Sequence, residues 1–353
     1  MAFSIPENKK LIAADDACFQ YMGRIDFDDK KRPVMVWPAS CADTVFTGTS
    51  LSVVVNNRRF QETTHFAVII DGVMQKVFMG DSAEDEMFTV AENLEDKPHT
   101  LRILKTLAAQ HYLTFVGIVV DEGASVSNPC HKYDCKLEVY GDSVSAGEVV
   151  ELLYYEGQGD PEGHNNRYDN SHFSYPSALS RKLNAELHDI AQGGIALLDG
   201  TGFFCADNLK GMVSCFDKIQ YSPYAPTKQW DFSRFTPDFV IIAIGQNDHN
   251  PDPERIKTPE FRAYWKGEYI KLLSSLMEKY PNAQFVLMLT VLRHDTTWDD
   301  ALEEITREVN SARVTHFKFR RNGDATNGHP RATEQEEMAG ELYTYLKDKL
   351  PKR

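Results

Sequence analysis

Hydrophobic and polar positions along the chain follow two patterns. Up to about residue 125 the apolar runs are short and rich in β-branched residues. They include Val53-Val54-Val55, Phe66 to Ile70, Val73 to Met79, His99 to Leu104 and Tyr112 to Val120, separated by Gly, Asn, Asp or Pro. Asp71-Gly72 between the second and third of these is the sequence of a tight hairpin turn, in which both central residues need positive φ. No amphipathic helix is visible before residue 130. The pattern predicts an all-β sandwich of about eight strands.

A small, polar stretch ending in proline, 121–129, reads as the connection to a second unit. Beyond it, apolar runs alternate with helical spacing. Lys136 to Tyr140 reads as a strand and Ser174 to Leu187 as a helix, with apolar residues at 179, 183 and 187. Phe239 to Ile244 is apolar throughout, as in a strand buried on both faces. Helices are expected over 260–280, 299–310 and 332–350, with strands over 284–289 and 312–319. Strands alternating with helices predict a three-layer α/β/α domain around a parallel sheet. The expected domains are 1–128, a β-sandwich, and 129–353, an α/β unit.

Composition narrows the function. With 38 Lys and Arg against 52 Asp and Glu, the formal net charge is −14. Such a surface repels phosphate backbones, so no nucleic-acid partner is expected. No apolar run approaches the roughly 18 residues that span a bilayer, so no membrane partner is expected either. The first ten residues lack a basic start followed by an apolar stretch. The expectation is a cytoplasmic protein, or a secreted one whose leader has been removed. Six cysteines in 353 residues read as free thiols. Cys130, His131 and Cys135 have no second pair at zinc-finger spacing, so no metal is expected.

In a parallel sheet, ligands gather beyond the carboxyl ends of the strands. Polar or glycine clusters stand there four times: Gly141-Asp142-Ser143, Gly193-Gly194, Gly245-Gln246-Asn247-Asp248, and Asp324 with His329-Pro330. On one rim they would supply a serine nucleophile, a histidine base, and backbone and amide donors for an oxyanion. Each has an ordinary alternative. A serine after a strand often caps a helix, and His-Pro can simply introduce one. Asp248 reads as a structural partner of its own loop. His65, His99, His188 and His316 lie in strand-like runs and read as packed or surface residues, whereas His172 and His249 are candidates for the rim. Trp298 is either a sugar-stacking face or a core residue.

The four blocks, in this order, resemble those of the SGNH (GDSL-type) hydrolases. With the β-rich domain in front, and with the wording Gly-Asp-Ser-Val-Ser-Ala-Gly and Gly-Gly-Ile, the chain is most similar to carbohydrate esterase family 2. The resemblance implies a jelly-roll-like sandwich before the hydrolase domain, and a serine esterase removing O-acetyl groups from plant polysaccharides or oligosaccharides without a cofactor. It implies Ser143 as nucleophile, His329 as base, and the Ser143 N–H, Gly194 N–H and Asn247 amide as the oxyanion hole. Gly193 is the alternative to Gly194. Trp298 and His172 are the candidate substrate contacts. Most relatives carry an aspartate three residues before the histidine. Here Thr326 stands in that place and Asp324 is the nearest acid, so the site is either a triad through Asp324 or a Ser-His dyad. A lipid or thioester hydrolase, or a non-catalytic carbohydrate-binding protein, is the alternative function. A homo-oligomer is left open.

Overall fold

A computed structural model describes residues 3–351 except 59–62, 81, 165, 204–209, 222–226 and 326. Cys205 and Thr326 lie outside the described residues. The first domain is two antiparallel sheets of six strands each. One runs Ile25–Asp26, Val34–Met35, Tyr112–Asp121, Leu51–Arg58, Asp85–Ala91, with Lys9–Ala13 also on Tyr112–Asp121. The other runs Val126–Ser127, Cys41–Phe46, His99–Lys105, Thr64–Ile70, Val73–Met79, with Gln20–Met22 on Cys41–Phe46. Their inward side chains, among them Val53, Val55, Phe66, Val68, Phe115 and Ile118, make one core.

The predicted hairpin is present: Thr64–Ile70 pairs with Val73–Met79, turning through Asp71 at φ 50° and Gly72 at φ 81°. Among the described residues the strands number twelve rather than about eight. Four of them have two or three residues, too few for alternation to show. The stretch read as a connection joins the sheet instead, where Val126 and Ser127 pair with Phe46 and Val45.

The second domain holds a five-stranded parallel sheet in the order Ala185–Ala191, Cys135–Gly141, Phe239–Ala243, Gln284–Leu287, Val314–His316. Numbered along the chain this order is 2-1-3-4-5, so the connections change direction between Cys135–Gly141 and Phe239–Ala243. A crevice opens at such a point, at the carboxyl ends. Helices Pro259–Lys279 and Thr297–Val309 pack with one another, and Tyr175–Leu183 with Ala332–Leu346. The helix expected to reach Leu187 stops at Leu183. Asn184 adopts the left-handed conformation at φ 48° and caps it, and Leu187 belongs to the following strand. No described helix is long and apolar enough to cross a membrane.

Candidate active site

The strand Cys135–Gly141 ends in a tight turn. A Cβ on Gly141 would lie 2.0 Å from Ser145 Oγ, so only glycine allows the short helix Ser143–Ala146 to start so soon. Asp142 caps that helix, its Oδ1 accepting from the Val144 N–H at 3.0 Å. Ser143 is therefore the first helical residue, and its own N–H points out of the helix end. The other Asp142 oxygen accepts from Gln246 Nε2 at 2.6 Å and, at longer range, from Asn247 Nδ2 at 3.3 Å. Burial pushes the Asp142 carboxyl up to about 6.

Asn247 follows Phe239–Ala243 through Gly245, whose φ of 128° is open mainly to glycine. Its amide donates to Ile195 O at 2.9 Å. The long contact to Asp142 is the one an oxyanion would replace. Gly194, at φ 71°, sits between Gly193 and Ile195, and no acceptor among the described residues faces its N–H. Asp248 pins this loop, accepting from the Leu197 N–H at 2.7 Å and the Leu198 N–H at 3.1 Å.

Ser143, Gly194, Asn247 and His329 line one cavity of about 370 Å³. The His329 Nδ1–H donates to Asp160 Oδ2 at 2.6 Å, which leaves Nε2 for the cavity. The His329 backbone N–H also meets Asp160 Oδ1 at 3.1 Å, and the fully buried Arg331 reaches that oxygen at 2.7 Å. Burial opposes the Asp160 charge, but His329 and Arg331 outweigh it and hold the carboxyl down at about 2. Burial likewise opposes the charged imidazole, yet the bond to Asp160 and the charges of Glu148, Asp160 and Asp169 raise His329 above its ordinary value.

Three expectations are corrected. Asp324 does not touch His329: its N–H turns back onto Arg321 O at 3.1 Å, and it lines a separate polar pocket with Gly157, Arg293 and Asn327. Asp160 holds the ring instead. Trp298 is 1% exposed and packs edge-on against Trp265, with ring centroids 5.3 Å apart. It faces the core because it opens the Thr297–Val309 helix on its inward side. His172 lies in another groove, with Asp43, Arg102 and Arg181, where its carbonyl accepts from Arg181 at 2.9 Å.

Sequence reasoning missed Asp160, Glu148 and Phe203. Phe203, 52% exposed, lines the catalytic cavity with its ring 5.2 Å from that of His249. Among the described residues no three His, Cys, Asp or Glu side chains converge as a metal site. His131 bonds to Asn184, and Cys135 is buried in its strand.

The chain as a whole is similar to several known proteins. Residues 21–129 match the family described as carbohydrate esterase 2 N-terminal. A cellulase/esterase of Acetivibrio thermocellus is 25% identical over 350 residues, which is 95% of this chain and 40% of that protein. An acetylxylan esterase / glucomannan deacetylase of Cellvibrio japonicus is 24% identical, over 98% of this chain and 92% of the relative. Thus the chain spans less than half of the first relative and nearly all of the second. Among solved structures, an acetyl xylan esterase from the rumen bacterium Butyrivibrio proteoclasticus superposes with a TM-score of 0.79. It is 19% identical and covers 97% of this chain and 98% of that one. The first domain is thus similar to the N-terminal domain of carbohydrate esterase family 2, and the fold of both domains is similar to that of a family two carbohydrate esterase from Cellvibrio japonicus, with a TM-score of 0.78.

Proposed function

We propose that this relative of the family 2 carbohydrate esterases is itself a serine esterase, removing O-acetyl groups from plant polysaccharides or oligosaccharides. The observation that carries the reading is a single cavity onto which Ser143, His329, Gly194 and Asn247 all open, with Asp160 fixing the ring of His329. His329 Nε2 takes the Ser143 proton as Oγ attacks the acetyl carbonyl. The negative oxygen of the tetrahedral intermediate is met by the Ser143 N–H, the Gly194 N–H and the Asn247 amide. Asp160 stabilises the imidazolium, which then protonates the leaving sugar oxygen. Water, activated by the same nitrogen, releases acetate from Ser143.

The substrate class rests on relatives named for acetylxylan and glucomannan and on the walls of the cavity. Glu148, Asp160, His249, Arg293 and Asn327 surround Ser143. These polar groups can meet sugar hydroxyls, while Phe203 and Leu292 supply apolar wall beside them, so the acyl preference is read from the octanoate comparison. The test is acetate release from a panel of acetylated xylan-type and gluco-oligosaccharides, beside p-nitrophenyl octanoate. Acetate release is expected, with the octanoate ester poorly used. Ser143→Ala should lower the rate by at least about 10⁴. No release from any sugar ester, or a faster octanoate reaction, would overturn the reading.

A further inference from the structure

Glu148 is a carboxyl in the catalytic cavity for which the mechanism has no use. It follows Gly147, the left-handed cap of the Ser143–Ala146 helix, and its N–H donates to Ser143 O at 3.0 Å. The side chain lines the cavity with Ser143, Gly194 and Asn247. Its Oε2 stands 3.8 Å from His329 Nε2, the nitrogen that hands a proton to the leaving oxygen. Gly193 lies directly behind it: a Cβ there would come 1.7 Å from Glu148 Oε1, so any larger residue would displace the carboxyl from this position.

Among the described residues neither oxygen accepts a hydrogen bond, and the side chain is only 17% exposed. A half-desolvated carboxyl without a partner costs free energy that a ligand can offset. The distance to Nε2 is too long for a direct hydrogen bond but leaves room for a group beside the leaving oxygen. That oxygen must come within about 3 Å of Nε2 to be protonated. On a sugar ring the hydroxyl of the adjacent carbon lies at a similar distance from it, which brings that hydroxyl within reach of Glu148.

We propose that Glu148 recognises the free hydroxyl next to the scissile ester, making the site selective for partly acetylated sugars over fully substituted or simple esters. The inference rests on the esterase reading above. Burial, then the charge of Asp169, pushes the Glu148 carboxyl up to about 8, with Asp142, Asp160 and His329 the other ionisable groups around it. As a carboxylate it accepts a hydrogen bond from a hydroxyl, and when it takes up a proton it donates one as well.

The experiment compares kcat/KM for a monoacetylated glycoside carrying that hydroxyl with its analogue deoxygenated at the same carbon. Wild-type protein is expected to favour the hydroxylated ester by about tenfold or more, as a site built for a hydroxyl does. Glu148→Ala should cut that preference to within about threefold, and Glu148→Gln, which keeps the shape and both hydrogen-bonding functions, should restore most of it. Equal losses on both esters would mean that Glu148 acts only through His329 and would overturn the proposal. So would a wild-type enzyme with no preference. If neither sugar ester were cleaved by the wild type, the esterase reading would fall, and this inference with it.

Discussion

His329 is oriented by an acid 169 residues earlier in the chain, which shows what a sequence carries and what it does not. Ser143, Gly194, Asn247 and His329 were legible because each stands next to a strand end or a helix start, and apolar runs mark those ends. Asp160 was not. It lies in a loop between Gly157 and Gly163 that has no periodicity, and its role exists only when that loop crosses to the start of the last helix. Asp160→Asn tests the assignment while limiting damage, since it keeps an acceptor oxygen for the buried Arg331 that alanine would remove. Loss of the carboxylate should lower kcat by on the order of 10³ or more. It should also move the acid limb of the kcat/KM profile. His329 acts as a base only when neutral. Its raised value places that limb above the ordinary imidazole range, near 6.5, so activity climbs with pH through the limb. Without the negative neighbour the protonated ring is favoured less, and the limb shifts to lower pH. A kcat within tenfold of wild type and an unmoved limb would show that Asp160 is dispensable and the site a dyad.

At the scale of elements, pattern located strands and helices well but could not choose among rotamers or caps. The Thr297–Val309 helix was expected, yet whether Trp298 faced solvent or core depended on which side of that helix meets its neighbour. It meets Trp265, and Trp265 in turn lies under Gly245, where a Cβ would come 2.6 Å from the Trp265 ring. Two tryptophans thus support the turn that presents Asn247. Gly245→Ala would face both this clash and a φ of 128°. Together, overpacking and backbone strain should cost about 2–5 kcal/mol. Because the turn itself must shift, kcat should fall as well, with KM changing less. Urea unfolding and steady-state kinetics on one preparation read both. A stable but slow variant would place the effect on Asn247 alone, whereas wild-type stability and rate would show that neither the contact nor the torsion constrains this turn.

For the whole molecule, the question is what the β-sandwich does for a site that lies entirely in the other domain. Its residues enter the second domain's core: Val36, Trp37, Ala109 and Tyr112 pack in one cluster with Tyr140, Ile190 and Leu197. It also braces the segment behind the nucleophile. Ser171 donates to Lys105 O at 2.8 Å, and Asn170 in turn donates its N–H to Gly147 O at 2.9 Å. A fully buried polar tie is Arg24, with Nη2 3.0 Å from the equally buried Glu138 on the first parallel strand. The same guanidinium reaches Tyr140 Oη at 3.0 Å, Phe216 O at 2.6 Å and Lys218 O at 3.0 Å. None of this was visible in the sequence, where Arg24 is one charged residue among many and its partner lies 114 positions away. Arg24→Met would strand the Glu138 carboxylate in a dry interface, a loss of about 3–5 kcal/mol. Replacing both, as Arg24→Met with Glu138→Leu, should recover much of it, because two apolar side chains leave no buried charge. Recovery should be incomplete, since the Phe216 and Lys218 carbonyls still lack their donor. Given the shared core, circular dichroism and tryptophan fluorescence should report one unfolding transition in the wild type. Two separate transitions would mean that the domains are stable independently and that Arg24 joins finished parts. A double variant no more stable than the single one would place the value of Arg24 in its carbonyl contacts, with the ion pair contributing little.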